Sequence, residues 1–303
     1  MQPILRLGTR GSPLALVQAR LVATALREAH DWGPELIEIE PMATSGDQLR
    51  DRPLAEFGGK ALWTRELDLA LIEGRIDLAV HSMKDVETLR PPELAIAAIL
   101  PRADVRDRLV GAESLEALPE GARLGTSSPR RAAQLLARRP DLAIVPLRGN
   151  VETRLRKIDK GEADATLLAA AGLERLGHGE IGVVLEDFLP APAQGAIGVE
   201  VRAADRRVRT LIAAIDDRST HACVAAERRL LEGLGGSCRS PVAALATLEG
   251  ERIRLRAEIL TEDGSEFERG ERVFAADDGS APLELAAELL ARAGPGLRSL
   301  FGP

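Results

Sequence analysis

The stretch "GLGGSCRSP", residues 233–241, sets one thiol between a glycine-rich approach and a proline, with no CxxC and no second cysteine close by. A thiolate is a soft nucleophile and forms covalent bonds wherever it is accessible and deprotonated. The other cysteine, Cys223, lies in the helical run "ACVAAE" and reads as a packed core thiol. A second concentration of chemistry is "AVHSMKDV", residues 79–86, at the end of an apolar strand. Ligands of α/β sheets bind at the carboxyl ends of strands, so Ser82, Lys84 and Asp85 arrive together at a candidate cleft edge. A solvated Lys–Asp pair on a loop is the plainer alternative. A Lys84 Schiff base with pyridoxal phosphate is conceivable but lacks a recognisable cofactor motif.

The remaining chemistry is cationic. "LGTRGSP" (7–13) and "LGTSSP" (124–129) each follow a strand and open a helix. Ser12 and Ser128 suit the N-cap, and Pro13 and Pro129 the first helical position. Free backbone N–H groups and the positive helix end make such turns anion sites, suggesting anion capture across a cleft, although ordinary capping explains either turn alone. The second turn runs directly into Arg130 and Arg131. In "PLRGNVETRLRK" (146–157) Arg148 ends a strand, Asn150 can cap the next helix, and Arg154 lies near its start. Five arginines at strand-to-helix turns (Arg10, Arg130, Arg131, Arg148 and Arg154) imply a ligand with several carboxylates or phosphates, because the guanidinium fork suits bidentate oxyanion binding. Only four of the 40 basic residues are lysines, so Lys60 in "FGGKALW" and Lys84 stand out. His30, His81, His178 and His221 show no metal-ligand spacing, and no metal site is expected.

The elements that must position these residues follow from periodicity. Strands are expected at "ILRLGT", "LIEIEPM", "IDLAVHS", "LAIAAIL", "ARLGTSS", "LAIVPLRG", "ADATLLAA" and "GAIGVEV". Helices are expected from Pro13 to about Ala29 and over 61–73, 129–137, 151–159 and 203–214. This alternation is α/β, with parallel sheets expected. From about Arg218 the pattern changes to a helix, "THACVAAERRLLEGL", two antiparallel strands, "VAALATLEG" and "RIRLRAEIL", and a last helix over 282–293, a small α+β domain. The polar segment 44–60, rich in Gly and Pro, has the length of a functional loop, and a mobile lid is expected there.

A chain of 303 residues holds two or three domains. A net charge of −7 gives no support to nucleic-acid or anionic-membrane binding. Two cysteines fit a reducing compartment. Arg6 and Arg10 interrupt any signal-peptide core, and no apolar run approaches membrane-spanning length. A cytoplasmic protein is expected.

"GTRGSPLALVQA", "FGGKALW", "AVHSMKDV", "GTSSPRRAAQL", "RRPDL", "LRGNVETRL", "LAAAGLERLG", "PAQGAIGVE" and "AERRLLEGLGGSC" with the proline after it occur in this order. Together they resemble the porphobilinogen deaminase (hydroxymethylbilane synthase) family. Each motif is moderately specific and the ordered set very specific, covering Arg6 to Pro241; the C-terminal domain is compatible but less distinctive. The resemblance implies three domains: 1–99 with 196–217, α/β, carrying the catalytic Asp and the lid; 100–195, α/β, with the anion-binding arginines; and 218–303, α+β, with the cofactor cysteine. The first two would be similar to the lobes of periplasmic binding proteins.

The activity so implied is that of a transferase of tetrapyrrole and heme biosynthesis. It condenses four porphobilinogen units head to tail, losing ammonia each time, on a dipyrromethane primer held covalently, and releases hydroxymethylbilane. By the same resemblance Cys238 carries the dipyrromethane cofactor through a thioether. Asp85 is the catalytic residue, stabilising the cationic azafulvene left when ammonia departs and shuttling protons. Lys84, Ser82, Thr126, Ser127, Ser128, Arg130 and Arg131 would hold the cofactor. Arg10, Ser12, Arg148, Arg154, Arg175 and Lys60 would bind substrate carboxylates. The expected partner is the small molecule porphobilinogen, with no nucleic acid or membrane, and the expected state is a monomer. Three positions depart from the family pattern: Trp63 stands in place of phenylalanine, and Glu56 and Ser45 stand where relatives often carry basic residues. They bear on the lid's carboxylate contacts and leave Asp85 and Cys238 untouched. The rival class is a two-lobed binding protein without catalysis. It has no need of Cys238 or Asp85 and, if periplasmic, would carry a signal peptide.

Overall fold

The computed structural model describes residues 5–43, 64–237 and 240–301. The chain divides into two compact units, Met1–Ala103 with Ala196–His221, and Asp104–Gly195 with Ala222–Pro303.

The first unit is built on strands β1 (Leu5–Arg10), β2 (Ile37–Met42), β3 (Leu78–Ser82), β4 (Leu94–Ile99) and β10 (Ile197–Arg202), in the order β2–β1–β3–β10–β4. Helix α1 (Pro13–His30) lays Ala19, Val22 and Leu26 on this sheet, against Leu5, Leu7, Leu78, Val199 and Val201. Those helix positions recur at three- and four-residue spacing, one face of an α-helix. A shorter helix, α2 (Arg65–Ile72), buries Leu67, Ala70 and Leu71. Helix α6 (Arg206–Ile212) follows β10.

The second unit repeats the plan. Strands β5 (Asp107–Val110), β6 (Arg123–Gly125), β7 (Ala143–Val145), β8 (Ala165–Ala169) and β9 (Val183–Leu185) lie in the order β7–β6–β8–β5–β9, with helices α3 (Pro129–Leu136), α4 (Val151–Asp159) and α5 (Ala170–Arg175). The α/β expectation is met. The parallel expectation is met in β2–β1–β3 and β7–β6–β8, while β10 runs antiparallel to β3 and β4, and β5 antiparallel to β8 and β9. Parallel neighbours need a crossover, usually helical. No helix lies between β4 and β5 or between β9 and β10, so the direction of β5 and β10 is not bound by that rule.

The same unit contains an antiparallel sheet of β11 (Val242–Glu249), β12 (Arg252–Leu260) and β13 (Phe267–Ala275). Helices α7 (Arg218–Gly233) and α8 (Ala281–Arg292) bring Leu230, Leu231, Leu285 and Leu289 into one apolar cluster with Val242, Leu255 and Ile259. Strand β13, "FERGERVFA", buries Phe274 alone, and no apolar alternation announces it. Among the described residues no helix is long and apolar enough to cross a membrane.

Candidate functional site

In the first unit, the two predicted stretches meet at the carboxyl ends of β1 and β3. Ser12 caps α1, its Oγ accepting from Ala15 N at 3.3 Å with Pro13 next, as the sequence implies. Beyond β3 a single 3₁₀ turn, Met83–Asp85, presents Lys84 and Asp85, both half-buried. Met83 anchors that turn: its side chain is buried, and its N–H donates to Ala196 O at 3.1 Å. The Met83 thioether occupies the space a Cβ at residue 198 would need, which is why glycine stands there on β10.

A cleft at this edge is lined by Arg10, Ser12, Gln18, Thr64, His81, Ser82 and Asp85, with Leu14, Ala15, Val80 and Val86. Arg10, Ser12, Ser82 and Asp85 are thereby brought together; Lys84 is adjacent but not part of the lining. Gln18, Thr64 and His81 were missed by sequence reasoning. Gln18 is buried, and its amide exchanges hydrogen bonds with Ser82 Oγ at 2.8 and 3.0 Å, fixing that hydroxyl. The helical spacing of Gln18, on the apolar face of α1, was the available signal.

A buried charge network adjoins the cleft. Glu200, fully buried on β10, accepts from His81 Nε2 at 3.1 Å and from Arg90 Nε and Nη2, both at 2.8 Å. Arg90 also donates to Asp68 and Glu87, and the Thr64 hydroxyl lies within hydrogen-bond distance of both carboxylates, at 2.8 Å from Glu87 and 3.1 Å from Asp68. Burial pushes the Glu200 carboxyl up, but the hydrogen bonds and charges of His81 and Arg90 prevail and hold it at about 2. For Asp68 burial prevails over Arg90, and its carboxyl is raised.

In the second unit, Ser128 caps α3 by accepting from Arg131 N at 3.4 Å, and Asn150 caps α4 by accepting from Thr153 N at 2.9 Å. Thr126 is buried, and its Oγ1 accepts from Ser128 N. Ser127 is exposed and donates to Leu147 O. Arg148 and Arg154 are half-buried at the start of α4, with Arg154 Nε donating to Gly149 O. Arg175, at the end of α5, donates to Gly195 O at 2.8 Å, and burial lowers its pKa.

Arg130 and Arg131, expected as open forks for a ligand, are buried around Asp107 on β5. Arg130 Nη2 donates to Asp107 at 2.8 Å, and Arg131 donates through Nε at 3.2 Å and Nη2 at 2.7 Å. Leu189 O and Gln134 take further bonds from Arg130, and Leu167 O takes one from Arg131. The cause is position: both residues occupy the first turn of α3, which buries them against β5 and β8. Burial pushes the Asp107 carboxyl up, but the two guanidiniums outweigh it and hold it far below the usual range. One donor is left over: Arg130 Nε–H is buried with no acceptor among the described residues.

Cys238 lies outside the described residues, as do Lys60, Trp63, Glu56, Ser45 and the expected lid over 44–60. The approach to Cys238 is described. Helix α7 ends with Gly235 N donating to Glu232 O and Gly236 N to Leu231 O, while Gly235 has φ +64°. That paired geometry is a Schellman C-cap, which requires a left-handed residue. Gly235, in the glycine-rich approach to Cys238, thus serves as a helix stop. Beyond it, Ser237 N donates to Ser240 Oγ and Ser240 N to Ser237 O, both at 3.0 Å. Cys223 is buried in the cluster around the third sheet, as expected of a packed thiol. Among the described residues no cluster of three or more His, Cys, Asp or Glu could hold a metal ion.

Residues 5–210 match the family described as porphobilinogen deaminase, dipyromethane cofactor binding domain, and residues 221–291 match its C-terminal domain. The chain is similar to the porphobilinogen deaminase of Sphingopyxis alaskensis, 56% identical over 305 residues, covering 98% of this chain and 96% of that protein. It is 53% identical over 295 residues to that of Paracoccus denitrificans, covering 95% of this chain and 94% of that protein. Among solved structures, a double mutant of the Bordetella pertussis BvgS VFT2 domain aligns at 17% identity and TM-score 0.41, over 74% of this chain and 90% of that chain.

Proposed function

The chain belongs to the porphobilinogen deaminase family, and from that premise we propose which of its residues carry the reaction. It is a transferase of tetrapyrrole biosynthesis that condenses four porphobilinogen units head to tail with loss of ammonia, using a dipyrromethane cofactor, to give hydroxymethylbilane. When bound, dipyrromethane supplies the pyrrole carbon onto which the incoming unit is joined.

The described residues fit a group that carries acetate and propionate side chains. Strand-end turns in both units present cations and capped helix starts, and the buried Arg130 Nε–H has no acceptor of its own among the described residues. We assign attachment, through a thioether, to Cys238. Thr126, Ser127, Ser128, Ser82 and Lys84 hold the cofactor carboxylates by hydrogen bonds and charge. Arg130 and Arg131 act from the interior, as a cationic floor tied to Asp107. Arg10, Ser12, Arg148, Arg154 and Arg175 receive substrate carboxylates, with Lys60 assigned by family resemblance alone.

Asp85 stabilises positive charge on the pyrrole as ammonia leaves, then takes the proton released on rearomatisation and gives it to the departing amine of the next unit. The observation that carries this reading is the cleft itself. It unites Asp85 with Arg10 and Ser12, so a carboxylate for the forming cation stands beside donors for the substrate's own carboxylates. The core around the third sheet supports a division into three domains. A monomeric, cytoplasmic protein completes the proposal.

Intact mass and peptide mapping test the attachment. The active protein should exceed its sequence mass by two porphobilinogens less two ammonias, should colour with Ehrlich's reagent, and should carry the adduct on Cys238 and not Cys223. Cys238→Ser should lose adduct and turnover, and Cys223→Ser should keep both. Full activity with an unmodified Cys238 would overturn the assignment.

A further inference from the structure

The segment from His81 to Arg90 carries Asp85 at its middle and has few apolar anchors. Between its ends only Met83 and Val86 are buried, and Leu89 is 71% exposed. Both ends nevertheless converge on one side chain. His81, the residue before Ser82, binds Glu200 Oε2. Arg90, five residues beyond Asp85, binds Glu200 through Nε and Nη2 and spends its remaining donors on Asp68, Glu87 and Thr64. Glu200 belongs to β10, which pairs with β3 but enters the first unit more than a hundred residues later in the chain. His81 and Thr64 are at once members of this network and walls of the cleft.

We propose that Glu200 is a positioning residue, which clamps both ends of the Asp85-bearing segment through His81 and Arg90 and so sets where the Asp85 carboxylate stands. This rests on the assignment of Asp85 as the catalytic carboxylate. A carboxylate displaced by about 1 Å loses about a hundredfold in rate while the binding contacts survive. The guanidinium fork is essential to the clamp, because it meets Glu200 at two points while holding Asp68 and Glu87. An ammonium is a single point charge and cannot do all three.

The test uses the full-length, cofactor-bearing protein. Turnover is expressed per adduct-bearing molecule, counted by intact mass, with KM for porphobilinogen measured alongside. Glu200→Gln keeps the shape and removes the charge. It should lower kcat about a hundredfold with KM within about twofold of the parent and the adduct retained. Arg90→Met should behave alike, and Arg90→Lys should recover part of the loss. If Glu200→Gln fails to fold, the Arg90 pair and His81→Gln, which releases one end only and should cost about tenfold, carry the test. A kcat per adduct-bearing molecule within about twofold of the parent in the folded variants overturns the inference, as does a raised KM at parental kcat. An inactive Asp85→Asn beside a fully active Glu200→Gln overturns it alone. Parental turnover in Asp85→Asn overturns the Asp85 assignment and this inference with it.

Discussion

Asp107 and Arg131 meet in a side-on pair deep in the second unit, with Nε at 3.2 Å and Nη2 at 2.7 Å from the two carboxylate oxygens and both side chains buried. Arg130 adds a second guanidinium to the same carboxylate. Removing the carboxylate therefore leaves two buried cations facing each other. Asp107→Ala should destabilise the protein by about 3–5 kcal/mol, measured by urea unfolding. A loss below about 1 kcal/mol would show that the pair is not needed to hold the fold.

Asp85→Asn should fold, retain the adduct and lose turnover. An amide cannot supply negative charge to a forming cation. Loss of one such contact costs about 3 kcal/mol, on the order of a hundredfold in rate. Steady-state assay of the purified variant, with its Tm as control, reads the outcome.

Arg148 and Arg154 are half-buried at a helix start, unlike Arg130 and Arg131. Their alanine variants should keep parental stability and weaken substrate binding about tenfold, or about 1.4 kcal/mol. Arg130→Ala should instead lower Tm. Native electrophoresis of chain-extended intermediates gives a second readout, since weakened carboxylate binding should stall elongation. Normal elongation in every variant would remove these arginines from the substrate set.

Acid should weaken the first unit through Glu200, whose carboxyl sits at about 2 in the folded chain against an ordinary 4.5. A carboxyl depressed by folding contributes stability above its unfolded pKa and loses it as pH falls through the folded value. The groups facing it are His81 on β3 and Arg90 on the following loop, with Asp68 on α2 carrying a raised pKa that works in the opposite sense. Between about pH 4.5 and pH 2 the parent's Tm should fall more steeply than that of Glu200→Gln, and the two curves should approach each other near pH 2. Parallel curves across that interval would contradict the assignment.

Much of the site was legible because its signals are local. The caps at Ser12, Ser128 and Asn150 each act on an N–H three residues ahead. Any chain with those residues before a helical run offers the same bond. The motif order from Arg6 to Pro241 likewise needs no coordinates. Gly235 was visible as glycine, but its use as a helix stop required the bonds it makes to be seen.

By itself, then, the sequence determined the α/β pattern, the capped strand-to-helix turns and the family, and it is the source of the proposal that Asp85 and Cys238 are the chemical residues. Only the tertiary structure decided which charges are enclosed and which stay partly exposed. Glu200 finds His81 119 residues away and Arg90 110 away, and Gln134 finds Glu258 124 away. The directions of β5 and β10 were likewise set by neighbours far along the chain. Charged residues are almost never fully buried unless paired, and the pairing depends on partners that the fold, not the local sequence, brings within hydrogen-bond distance. That is why Arg130 and Arg131 look like open receptors in the sequence and stand as the enclosed counter-ions of Asp107 in the structure.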